Sequence, residues 1–130
     1  MDGTWVKMKG EGHFGWILGE TAVQDVWMGC REGSENMVLF GATVRFYDPK
    51  TDAWYSTWLS PLKGLVRIFV ARKIEDNIVL ESKTAEGFSE KWIFSQITPS
   101  SFRWYSEETH DNGKTWMLIE EMQTRKADKA

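Results

Sequence analysis

The chain has 130 residues, 16 Lys plus Arg against 19 Asp plus Glu, a formal net charge of −3, and eight Trp within a 14% aromatic fraction. That length fits one domain and hardly two, and a chain of this size buries about two thirds of its unfolded surface, enough for a core without staples. The 42% hydrophobic and 27% charged residues argue against disorder, the acidic balance argues against a nucleic-acid binder that must neutralise phosphates, and the single Cys30 rules out an intrachain disulfide or a multi-Cys zinc site.

The start Met1-Asp2-Gly3-Thr4-Trp5 shows no basic segment followed by an apolar stretch, so no signal peptide is expected. No apolar run approaches the roughly 18 residues that span a bilayer. The expectation is a cytoplasmic protein without a membrane partner.

Runs rich in Val, Ile, Thr and aromatics follow one another at 4–18, 21–29, 37–47, 53–60, 65–73, 77–84, 88–97, 101–109 and 114–125. Turn residues separate them, as in Arg31-Glu32-Gly33-Ser34-Glu35-Asn36, Asp48-Pro49-Lys50-Thr51-Asp52, Ser60-Pro61-Leu62-Lys63-Gly64, Glu75-Asp76-Asn77, Ala85-Glu86-Gly87, Thr98-Pro99-Ser100-Ser101 and His110-Asp111-Asn112-Gly113. Short connections predict antiparallel neighbours, because a parallel pair needs a long crossover. The segment 115–126 also reads as a helix, with Leu118, Ile119 and Met122 near one side, but the Asp111-Asn112-Gly113 hairpin signal favours a strand. One domain over 1–126 with a frayed tail at 127–130 is expected.

Sequential antiparallel strands leave two edges unless the sheet closes. The fold expected is therefore all-β: an antiparallel up-and-down barrel of about eight to ten strands, with a meander sandwich second. Strand alternation assigns faces. Val23, Asp25 and Trp27 share one; so do Thr43, Arg45 and Tyr47; Trp54, Ser56 and Trp58; Glu90, Trp92 and Phe94; Phe102 and Trp104; and Trp116, Leu118, Glu120 and Met122. Tryptophan next to a polar group on one face suits a cavity wall, where flat rings supply contact and a few polar groups orient a ligand. Aromatic packing around a structural Asp25–Arg45 ion pair is the alternative.

Several ordered segments carry a family likeness. They are His13-Phe14-Gly15-Trp16; Ala22-Val23-Gln24-Asp25-Val26-Trp27; Val44-Arg45-Phe46-Tyr47-Asp48-Pro49 with Trp54; Trp58-Leu59-Ser60-Pro61; Lys91-Trp92-Ile93-Phe94; Phe102-Arg103-Trp104; and Asp111-Asn112-Gly113-Lys114-Thr115-Trp116 before Glu120-Glu121 and Arg125. Together, over about residues 10–125, these resemble small bacterial proteins with a lipocalin-like (calycin) barrel and no settled activity. The resemblance implies a pocket for a small, largely apolar molecule and supplies no catalytic motif. Members usually carry a further N-terminal strand start before the segment equivalent to His13. Here Trp5 is left to begin a shortened first strand, and a second subunit is then one way to cover an exposed edge.

The site expected for a small apolar or aromatic ligand comprises Trp16, Trp27, Trp54, Trp58, Trp92 and Trp104 as contact surface, with Asp25, Arg45 and Glu120 as polar anchors. An enzyme of isomerase, cyclase or decarboxylase type is the alternative in the same cavity. Asp25 or Glu120 would carry the proton, and Arg45 would stabilise an anion. A homodimeric module without ligand is the third reading. No Gly-x-Ser-x-Gly elbow, phosphate loop or metal-ligand cluster occurs, and the isolated His13 and His110 carry no cofactor signature, so no cofactor or metal is expected. Lys63, Arg67, Arg72 and Lys73 make only a modest basic patch, which leaves no nucleic-acid partner.

Overall fold

The computed structural model describes residues 8–31, 33–83 and 89–126. Trp5 and the first positions of the opening run, Glu32, the Ala85-Glu86-Gly87 turn and the tail at 127–130 lie outside the described residues. Nine strands follow in order: β1 (Met8–Ile17), β2 (Ala22–Arg31), β3 (Val38–Asp48), β4 (Ala53–Ser60), β5 (Leu65–Ile74), β6 (Asn77–Lys83), β7 (Ser89–Ser95), β8 (Ser101–Thr109) and β9 (Met117–Arg125). They form one sheet in sequential order β1 to β9. The fold is thus all-β, with the strand number and up-and-down antiparallel order of a lipocalin-like barrel.

The strand reading of the C-terminal segment holds. Met117–Arg125 pairs antiparallel with β8, from Ser101 opposite Arg125 to Glu108 opposite Met117, with a bulge at Ser106/Glu107. The connection before it is longer than a two-residue hairpin. Asn112 and Gly113 do take turn dihedrals, with φ of 63° and 89°. Asp111 then gathers the loop: it accepts hydrogen bonds from Thr109 Oγ1 (2.9 Å), the Thr115 amide (2.8 Å) and the Thr115 hydroxyl. These bonds favour the charged carboxylate and hold Asp111 down at about 2, with the Thr115 hydroxyl the main cause.

Two compact units divide the chain: Met1–Tyr47 with Ser56–Ile68, and Asp48–Tyr55 with Phe69–Ala130. In the first, buried positions are small or polar: Ala22, Asp25, Thr43, Ser56 and Ser60. Glycines there make room for indoles. Gly12, opposite Trp27 in register, is covered by the Trp27 ring, and Gly41 is covered by Trp58. An aromatic ring laid over a cross-strand glycine restores the apolar contact that the missing side chain forfeits. The second unit has the apolar core. Phe69, Ala71, Leu80 and Ile93 are buried, and Trp92 packs on Phe69 with ring centroids 4.3 Å apart and against Trp104 at 5.4 Å.

Candidate functional site

Register places the site residues of the first unit. Phe14 lies opposite Asp25, which lies opposite Thr43; Trp16 faces Val23, which faces Arg45; Gly12 faces Trp27, which faces Gly41. Directly opposed residues project to the same side of a sheet. One face of β1–β3 therefore carries Phe14, Trp16, Asp25, Trp27, Thr43 and Arg45. The Trp58 ring over Gly41 joins the same face from β4, and Ser56, two residues away, shares it by alternation.

Asp25 is 1% exposed and sits at the centre of this face. Its carboxylate accepts hydrogen bonds from the Trp27 indole Nε1–H and the Arg45 Nη2–H. The pairing suspected from alternation is therefore a real ion pair, and the rest of the Arg45 side chain is also largely covered. The guanidinium lies 6.0 Å from the Phe14 ring centroid, and Phe14 meets Trp27 edge to face at 5.8 Å. Arg45 Nε and Ser56 Oγ are buried without a hydrogen-bond partner among the described residues. Above this polar floor the outer rings stay open: Phe14 is 51% and Trp16 63% exposed.

Burial pushes the Asp25 carboxyl above its ordinary value; the positive Arg45 and the bonds from Trp27 and Arg45 oppose this without cancelling it. A carboxyl raised by folding binds more protons in the native than in the unfolded state. Its contribution to stability is therefore largest in acid and is lost as pH rises through the folded value. The window runs from the ordinary carboxylate range upward. In Asp25→Asn that fall should disappear, leaving a flatter stability–pH curve than wild type across mildly acidic pH. Urea unfolding at a series of pH values checks this, and parallel curves for the two proteins would contradict it.

The remaining predicted residues lie in the second unit. Trp54 is half-buried on β4. Trp92 and Trp104 are brought together, but with Phe69 as part of a packed aromatic cluster. Glu120 is exposed on β9 opposite Ser106. It lacks the buried setting that the acid–base role assumes, whereas Asp25 has it.

Sequence reasoning put Thr43 on a face with Arg45 and Glu90 on a face with Trp92, but counted neither of them, nor Phe14, among the site residues. Glu90 is 9% exposed and accepts the Trp92 indole N–H at 2.9 Å. Glu90-Lys91-Trp92 repeats the spacing of Asp25-Val26-Trp27, an acid two residues before a tryptophan on a strand, and this signal was available in the sequence. His13 bonds Glu11 at 2.9 Å and His110 approaches Glu108 at 3.3 Å. Among the described residues no three His, Cys, Asp or Glu side chains gather as a metal group, and no helix is long and apolar enough to cross a membrane. Comparison with protein-family models, curated proteins and solved structures finds no match.

Proposed function

We propose that the protein is a cytoplasmic, lipocalin-like binding protein of the small bacterial kind, and that it holds a small, largely apolar or aromatic molecule against the β1–β4 face. The observation that carries this reading is the combination of open rings with a buried polar floor. Phe14 and Trp16 are more than half exposed, while Asp25 beneath them on the same face is buried and tied to Arg45 and Trp27. Stacking surface plus a fixed polar anchor is what orients a flat ligand. The sequential antiparallel order of nine strands also supports the calycin resemblance.

The test is titration with the fluorescent aromatic probe 1-aminoanthracene. Saturable binding is expected, weakened about tenfold by Trp16→Ala or Phe14→Ala, the loss that one aromatic contact typically represents. No saturable binding, or binding indifferent to both substitutions, would overturn the proposal.

The raised carboxyl of Asp25 favours a second reading, an isomerase, cyclase or decarboxylase with Asp25 as the proton carrier. Turnover of a bound ligand that vanishes in Asp25→Asn while affinity persists would select it. Equal loss of both keeps the binding role.

A further inference from the structure

The second unit carries an open groove of about 370 Å³ whose walls include Glu81, Ser82, Ser89, Lys91, Asn112 and Trp116. This volume lies at the lower end of small-molecule sites, which run from about 300 to 1,000 Å³. Two structural devices build it. The first is the loop between β8 and β9, held from within by Asp111 and by the Gly113 amide bonded to Thr109 Oγ1 at 2.9 Å. A much shorter turn would join two antiparallel strands; this longer one delivers Trp116 to the groove. The second is Lys91, whose ammonium lies 4.1 Å from the Trp116 ring centroid. Lys91 stands opposite Glu81 and Glu107 in register, so all three share a face, and its ammonium lies over the indole.

The chemistry of the walls narrows the ligand. The exposed Glu81 carboxylate in the lining, with Glu107 on the same face, disfavours an anion. The ring already has a cation on it. A purely apolar molecule would strip water from the serine, asparagine and glutamate groups without replacing their hydrogen bonds. What satisfies all of these walls is a neutral ring with a flat C–H face for the indole and hydroxyls at its edge for carboxylate, amide and hydroxyl partners. We propose that this groove is a saccharide-binding site, with Trp116 as the stacking platform and Glu81 and Asn112 as hydrogen-bonding groups. The named groove residues include none of the β1–β4 face.

Saturation-transfer NMR on the whole protein, with cellotriose, maltotriose and chitotriose as probes at millimolar concentration, tests it. At least one trisaccharide should receive saturation, most strongly at its ring C–H protons. Its affinity should fall at least tenfold in Trp116→Ala and severalfold in Glu81→Gln, while Trp16→Ala leaves it unchanged. Far-UV circular dichroism establishes that each variant is folded, and Glu81→Gln, an exposed isosteric change, carries the test if Trp116→Ala fails to fold. Absence of transfer to all three sugars overturns the proposal. So does a signal that survives Trp116→Ala or Glu81→Gln unchanged, or one that glycerol abolishes at equal hydroxyl concentration.

Discussion

Arg45→Met is expected to destabilise the fold by about 3–5 kcal/mol, the range observed when one partner of a buried ion pair is removed and the other is left behind. Asp25 is 1% exposed, and its carboxylate has Arg45 and Trp27 as donors. Without the guanidinium, a charge remains in a site that already disfavours charge, and Trp27 Nε1–H alone opposes its desolvation. The variant escapes part of the penalty by protonating Asp25, so its deficit should shrink toward acid pH. Asp25→Asn in the Arg45→Met background should recover most of the loss, since Asn still offers an oxygen to the Trp27 indole and carries no charge. Arg103→Met is the contrast. Arg103 pairs with Glu121 at the surface, with side chains 25% and 39% exposed, and its loss should change stability by no more than about 1 kcal/mol. Urea unfolding of the four proteins measures all of this. A cost for Arg45→Met as small as that for Arg103→Met would show that the Asp25 site is open to water.

Gly41→Ala should cost about 3 kcal/mol, the upper part of the range for overpacking. A Cβ at Gly41 would lie 2.2 Å from the Leu59 carbonyl oxygen and 2.7 Å from ring atoms of Trp58. The ring can swing aside, but the carbonyl belongs to the backbone of the neighbouring strand and moves only with it. Gly12→Ala meets Trp27 ring carbons alone, at 2.7–2.8 Å, so a smaller loss of about 1–2 kcal/mol is expected. Its signature is specific, because a displaced Trp27 gives up its bond to Asp25. Gly15→Ala has open space around the added methyl and should be neutral or slightly stabilising. Equal effects at the three glycines in denaturant unfolding would refute the assignment of Gly41 to a backbone clash.

The nine strands were legible because period-two alternation and turn residues are local signals, present within each run. The segment 115–126 shows how two local signals compete: Leu118, Ile119 and Met122 allow a helix, but pairing with β8 settles it as a strand. Asp25 and Arg45 could be guessed as neighbours since adjacent antiparallel strands with short connections admit few registers. Burial was much less legible. Alternation puts Glu120 on a face with Trp116, but it cannot show that β9 leaves the carboxylate in solvent. Nor can it separate Trp16, open on β1, from Trp92, locked between Phe69 and Trp104. Those outcomes depend on what lies across the sheet face, which is a non-local property.

The acid-before-tryptophan spacing occurs at Asp25/Trp27, Asp52/Trp54 and Glu90/Trp92; in the Asp25 and Glu90 pairs, one in each unit, the indole proton is engaged by the carboxylate. A proton held this way trades with deuterated solvent only when its surroundings loosen. Each unit therefore contains an intrinsic exchange clock. The separate rates rank the opening free energies of the two halves in unmodified protein, without any label or mutation.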